Sequence, residues 1–419
     1  MMKGAAAMSG ATTVVRAGWL IDGTGAEPQR DMALTIRDGS VCDVAPWGAA
    51  TRDQTVLDLG DYHVLPGLIN MHAHTILPGD GTPFDEWMAL PDELLLLQAH
   101  TNALAALYSG VTTIRDCGGK GRLMFRLRDA IRAGIVAGPR FVLAGRPLTI
   151  TGGHCHYFGG EVDGVEGMRQ AARQLLAEGA DFIKIMASGG GTVGTYAEFP
   201  SFDRDELAAA IHEAHKIGKV ASCHCIATES ITLALDAGVN HIEHCTFMAP
   251  DRLWRYDEAV ARRVAAAGVY VTPTLQVGVD SMVKMKERYA QGLATPQEAQ
   301  IVVETPDRDD DTVANARYLH ELGVPLVAGN DAGWRYTGFD TLHRELGLLV
   351  AAGMTPLEAI HAATGRAAVA CQLGDQIGTL APGRAADLIA VQHDPLADLS
   401  ALAAPALVAQ GGTVIVDRR

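Results

Sequence analysis

Eight short apolar segments, each followed by a longer stretch with helical spacing, run in series through the middle of the chain, and few folds accept that order. They read LPGLINMHAH (65–74), VTTIRDCG (111–118), RFVLAG (140–145) and FIKIMASG (182–189), then VASCHC (220–225), HIEHCTF (241–247), YVTPTLQV (270–277) and PLVAGNDA (325–332). Apolar runs suit strands buried on both faces, and strands alternating with helices point to parallel pairing through crossovers. In FDRDELAAAIHEAHKIG, Asp203 and Glu206 have the spacing of a capping box. Eight such units predict an α/β fold, a (β/α)8 TIM barrel, which assembles its chemistry at the C-terminal ends of its strands.

The two ends differ from this middle and resemble each other. TTVVRAGWLIDGTG, ALTIRDGSVCDVAP and TVLDLGDYHVLPG near the start, and IGTLAPGRAADLIAVQ and ALVAQGGTVIV near the finish, read as short strands punctuated by Gly, Asp and Pro. Neither end carries many strands, so the two are expected to pair into one small β-sandwich. The expected division is 1–64 and 371–419 for the sandwich and 65–370 for the barrel. Region 279–312, charged and placed after the seventh strand, is expected to be a helical excursion or a lid.

Composition narrows the function. The chain of 419 residues is 48% hydrophobic and carries a formal net charge of −15. A nucleic-acid partner is not expected, because phosphate binding needs clustered Lys and Arg. No apolar run approaches a membrane span, so no membrane partner is expected either. MMKGAAAMSGATTVV lacks the apolar core of a secretory signal, and the seven cysteines form no CxxC pair. A cytoplasmic setting is the expectation.

Polar residues near the ends of five strands carry the chemistry. His72 and His74, two apart, share one strand face and suit two ligands to one metal. Lys184, His224, His244 and Asp331 belong to the fourth, fifth, sixth and eighth strands. His241 begins its strand and is expected to be exposed. His63, His100, His212, His215, His320 and His361 are read as ordinary core or surface histidines. Cys117, Cys155, Cys223, Cys225 and Cys245 crowd the same end, but alternation turns Cys223, Cys225 and Cys245 away from the histidines, where cysteine acts as a small hydrophobe. Alternation also sends Ile183 and Ile185 towards the helices and Phe182, Lys184 and Met186 inward. Burial disfavours a charged amine. A neutral Lys184 is nucleophilic and can take up CO2 as a carbamate, an anionic group able to bridge two metals; an ion pair with Asp116 or Glu243 is the alternative.

With these residues the chain resembles the amidohydrolase superfamily of metal-dependent hydrolases. LPGLINMHAHT, Lys184, His224, His244 in HIEHC, Asp331 in AGNDA and the tail GMTPLEAIHAATGRAAVACQLGDQIGTLAPGRAADLIAV carry the resemblance over essentially the whole chain. TGGHCHYFG and IKIMASGG are most similar to the prolidase-like dipeptidases, carboxypeptidases and N-acyl amino acid amidohydrolases, a branch whose relatives include ochratoxin-degrading amidases.

The resemblance implies two divalent metal ions, zinc first. His72, His74 and Asp331 would hold one and His224 and His244 the other, with a hydroxide and carboxylated Lys184 bridging them. It implies attack of that hydroxide on an amide carbonyl, with Asp331 moving the proton. His154 matches a substrate contact near the carbonyl or carboxylate. The loop GGGTVGTYAEFPSF departs from the peptidase pattern, and Tyr196 is a candidate substrate contact there. His156, Tyr157 and Arg335 read as loop residues. The expected substrate is a small molecule, a dipeptide or N-acyl amino acid. Alternatives are hydrolysis of a carbamate, urea or ester in a xenobiotic-like molecule, or of a cyclic amide. Relatives commonly assemble, so a homo-oligomer is expected.

Overall fold

The structure, a computed structural model, describes residues 12–48, 55–304 and 309–419. The first eleven residues and 305–308, part of the 279–312 region, lie outside the described residues.

Strands from both ends of the chain form one seven-stranded sheet. They are β1 (Thr13–Leu20), β2 (Gln29–Arg37), β3 (Ser40–Pro46), β4 (Thr55–Pro66), β12 (Leu388–Val391), β13 (Leu407–Gln410) and β14 (Thr413–Asp417). Their order is β14-β13-β12-β4-β1-β2-β3. The two ends meet where β4 and β12 run antiparallel, with His63, Val64, Leu65 and Pro66 opposite Val391, Ala390, Ile389 and Leu388. Alternating Val15, Leu34, Ile36, Leu59, Val64, Leu388 and Leu407 bury a core of their own. The segment 65–74, expected as one strand, divides at Gly67. A Cβ there would lie 2.2 Å from Thr112 Oγ1, so only glycine lets the chain pass this close from one sheet to the next.

The middle of the chain forms two parallel sheets. The first contains β5 (Leu68–Ala73), β6 (Val111–Asp116) and β7 (Arg140–Leu143), and the second β8 (Ile183–Met186), β9 (Ala221–Ala227), β10 (His241–Met248) and β11 (Tyr270–Thr272). Single parallel bridges link them further: Leu148 with Ile185, Val271 with Leu326, and Ala73 with Ala332. Helices such as Asp92–Tyr108, Gly164–Glu178 and Arg204–His215 alternate with the strands. The last begins with the expected capping box, Asp203 and Glu206 each accepting the other's backbone N–H at 2.9 Å. Among the described residues no helix is long and apolar enough to cross a membrane.

Three expectations need correction. The segment 325–332 forms no strand, only single parallel bridges at Leu326 and Ala332. The segment 270–277 is a strand only to Thr272, and a helix, Leu275–Ala290, begins inside it. The buried Glu345 carboxylate causes this by accepting the N–H groups of Leu275 (3.0 Å) and Gln276 (2.7 Å) at the helix start. His241 is buried, only 1% exposed, and stacks on Tyr270 at 5.2 Å between ring centroids. Tyr270 is its partner across the β10–β11 pair, so a neighbouring strand covers the position that begins its own.

Candidate active site

At one end of the parallel strands is a cavity of about 580 Å³, lined by His74, His154, Lys184, His224, His244 and Asp331 among others. His72 lies directly behind it. Asp331 Oδ1 stands 3.5 Å from Nε2 of both His72 and His74. The rings of His72 and His244 are 5.1 Å apart, and those of His224 and His244 4.6 Å. The structure therefore brings all six expected ligand residues around one point, from five separate segments.

Strand alternation explains Lys184. Ile183 and Ile185 join the core shared with the helices, whereas Phe182 packs against the Arg115 guanidinium at 4.0 Å and Lys184 and Met186 face the cavity. His244 needs a different device. Its φ of 70°, followed by 53° at Cys245, interrupts the pleat, and the pairing of β10 with β9 shifts register beyond it. Consequently Glu243 and His244, adjacent in sequence, both reach the interior. Asp331 has a φ of 57°. Left-handed backbone in such residues is costly and gathers at functional sites.

Each of the four histidines is held by one ring nitrogen. His72 Nδ1 donates to Glu243 Oε2 (2.7 Å), and His74 Nδ1 to the Gly118 carbonyl (2.9 Å). His224 Nε2 donates to the Gly189 carbonyl at 3.0 Å. His244 Nδ1 donates to Thr274 Oγ1 (2.7 Å), whose own hydroxyl is given to the Pro273 carbonyl. The opposite nitrogen of every ring is thereby left as a lone-pair donor, the arrangement found behind metal-ligating histidines.

Electrostatics agree with this for His74, His224 and His244, whereas His72 has to give up a proton before its Nε2 can take a cation. Burial, reinforced in each case by a charged neighbour, holds His74, His224 and His244 well below the usual histidine range, as neutral ligands require. Burial also opposes charge on His72, but Cys117, Asp331 and Glu243 outweigh it and lift its pKa to about 10. Burial raises Asp331, with His72 pulling the other way.

Two buried polar atoms in the middle of this group lack hydrogen-bond partners: Lys184 Nζ and Asp331 Oδ1. The ion pair considered for Lys184 does not form. Asp116 accepts the N–H groups of Thr75 and Gly118, and Glu243 is taken by Arg115 (2.7 Å), His72 and Ser222. Ligand atoms of His72, His244 and Asp331 lie close enough together to hold one ion, as do those of His72, Cys117 and Glu243. The second trio is already consumed by hydrogen bonds, so the first is the better cation site. Cys223, Cys225 and Cys245 are buried in the apolar core, turned from the ligands.

His154 enters the cavity from the loop after β7, its Nδ1 2.8 Å from Thr192 Oγ1 and its ring 4.6 Å from that of His224. Gly190 makes room for it: a Cβ there would meet His154 Nε2 at 2.6 Å. Tyr196 is not brought in. It is 68% exposed, while Gly190, Thr192, Val193 and Thr195 of the same loop line the cavity. Helices Leu275–Ala290 and Pro296–Glu304 supply another wall through Met282, Met285, Gln297 and Ile301, which places the described part of 279–312 as a helical excursion over the cavity.

The supporting residues Gly118, Glu243, Thr274 and Glu345 have no signature in sequence, since each is an acceptor whose donor belongs to a distant segment.

Residues 63–416 match the model of the amidohydrolase family. The chain belongs to the amidohydrolase family. Ochratoxinase of Aspergillus niger is an amidohydrolase relative 27% identical over 431 residues, covering 94% of this chain and 84% of that protein. Imidazolonepropionase of Salinispora tropica is 25% identical over 384 residues, covering 86% of this chain and 85% of its own. Among solved structures, a Xaa-Pro dipeptidase with methionine bound in its active site is 29% identical with a TM-score of 0.86, covering 97% of this amidohydrolase and 100% of that chain.

Proposed function

We propose that this amidohydrolase is a metal-dependent enzyme that hydrolyses an amide bond in a small substrate of the dipeptide or N-acyl amino acid type. The observation that carries the proposal is Lys184 Nζ, fully buried and without a partner, among four imidazoles and an aspartate oxygen that is equally unpartnered. A buried ammonium in that position would be repelled by ligand-bound cations. A carbamate, formed when the neutral amine adds to CO2 and loses a proton, would instead supply two anionic oxygens there.

In this proposal His72, His74 and Asp331 would hold one divalent ion and His224 and His244 the other, with carboxylated Lys184 as a further anionic ligand. Zinc is the first choice for such imidazole-rich ligands. The ions would supply Lewis acidity and an activated water at neutral pH. Asp331 is placed to accept a proton from the attacking water and to return it to the leaving nitrogen, because its Oδ1 carries no competing hydrogen bond. His154 Nε2 faces the cavity and is proposed to donate to the substrate carbonyl. The eight parallel segments are taken to close as a barrel within 65–370, with 1–64 and 371–419 forming the β-sandwich, in a cytoplasmic homo-oligomer.

Relatedness to the dipeptidase and to ochratoxinase supports amide hydrolysis. Hydrolysis of a neutral carbamate, urea or ester is the competing reaction, favoured by the apolar side chains Ile226, Leu275, Val277, Met282 and Met285 in the cavity wall. Cyclic-amide hydrolysis is suggested by likeness to imidazolonepropionase. Dipeptides, N-acyl amino acids, cyclic amides and aryl carbamates, assayed with zinc-loaded protein whose metal content has been measured, separate the three. Turnover of neutral esters or carbamates with none of the amides would overturn the proposal.

A further inference from the structure

Arg335 lies four residues after Asp331, with a φ of 47°, and faces the same cavity as His154, His224 and Asp331. Its guanidinium approaches the loop after β8 so closely that a Cβ on Gly191 would stand 3.4 Å from Nη2. Three other arginines that are largely buried have acids: Arg115 pairs with Glu243 at 2.7 Å, Arg128 with Asp181 at 2.9 Å and Arg146 with Glu178 at 2.8 Å. Arg335 has only the thioether of Met285, 3.6 Å from Nη1, and no ion pair with a described carboxylate.

The acids whose fields reach Arg335 form no ion pair with it. Glu298 accepts from the Tyr336 hydroxyl, from the Thr295 N–H at 2.7 Å and from Arg288 at 3.3 Å. Asp331 faces His72 and His74. Burial works against the charge on Arg335, which makes an unpaired guanidinium there costly unless an anion arrives with the ligand.

We propose that Arg335 binds the carboxylate of the substrate. The substrate class is then an acid, an N-acyl amino acid or dipeptide, whose free carboxylate meets the guanidinium fork while its amide lies between His154 and Asp331. A planar guanidinium matches a carboxylate through two parallel hydrogen bonds, which orient as well as attract. The methionines at 282 and 285 adapt to apolar side chains of the bound acid. This assignment rests on the amide-hydrolase proposal above, and its test is chosen so that the two can fail separately.

The first measurement is binding, by calorimetry, of L-phenylalanine and of L-phenylalaninamide to the metal-loaded protein and to Arg335→Gln and Arg335→Lys with equal metal content. The acid is expected to bind the unmodified protein at least about 30-fold more tightly than the amide, a preference reduced to under about threefold in Arg335→Gln and kept in part by Arg335→Lys. The second is the steady-state kinetics of an N-acyl amino acid, where Arg335→Gln is expected to raise KM at least about 30-fold with kcat changed far less. Equal binding of acid and amide by the unmodified protein, or an undiminished preference in Arg335→Gln because the acid binds the metals instead, overturns the assignment. Acid-selective binding lost in Arg335→Gln but without turnover of any amide upholds Arg335 and refutes the amide-hydrolase proposal.

Discussion

His72 and Glu243 are joined by a 2.7 Å hydrogen bond in which neither side chain exceeds 1% exposure. The same carboxylate accepts from Arg115 and Ser222, so one anion fixes a ligand imidazole and neutralises a guanidinium. Glu243→Gln is expected to weaken zinc affinity by about 10–100-fold, measured by competition with a chromophoric chelator. Arg115→Met leaves the bond to His72 in place. It should change zinc affinity only a few fold while lowering stability by about 3–5 kcal/mol in chemical denaturation.

Gly190 stands where a methyl group would press on His154 Nε2 at 2.6 Å. Gly190→Ala is expected to lower kcat/KM by about 10–100-fold through displacement of that ring. Metal content should be unchanged, because His154 is not among the proposed ligands. Loss of metal in this variant would move His154 into the metal site.

Glu345 satisfies the first N–H groups of the helix Leu275–Ala290 and thereby places Thr274, the acceptor for His244. Glu345→Ala should cost about 1–3 kcal/mol from stranded donors and loosen zinc at the His224–His244 position. Denaturation together with metal release rates would check both effects.

His241 provides a pH signature independent of the metals. Burial and the nearby Arg115 depress its pKa from 6.5 to about 3. Below 6.5 the unfolded chain takes up a proton at this residue and the folded one does not, so its contribution to stability is present above pH 6.5 and is lost as pH falls towards 3. At pH 5 the loss is about 2 kcal/mol. His241→Phe, which can still stack on Tyr270, should remove that part of the acid sensitivity when urea denaturation at pH 7.5 and pH 5 is compared.

Much of the site could be read from local spacing. Two histidines separated by one residue must share a strand face, and a lysine between two isoleucines must face opposite to them; the structure places His72, His74 and Lys184 accordingly. What escaped the sequence depends on distant partners or on broken alternation. His241 is covered by Tyr270 from the next strand. The helix that starts at Leu275 is nucleated by an acid 70 residues further on. Glu243 and His244 both point inward only because the backbone turns left-handed within β10, at His244 and Cys245. Arg335 has no distinguishing neighbours in sequence; it stands out only once no described acid is found paired with it. Tyr196 belongs to the loop that departs from the peptidase pattern, and it is the smaller residues of that loop that line the cavity.

The pairing of β4 with β12 has a consequence for how the molecule is made. Pro66 must find Leu388 across 322 residues (388 − 66), and contacts so remote in sequence form slowly because a long loop has to close first. During synthesis β4 emerges well before β12, and the edge of β4 stays open until β12 leaves the ribosome. Such an open edge invites pairing with another nascent chain. The strands of the candidate site follow β4 and precede β12, so their final docking waits on a partner that is made after all of them.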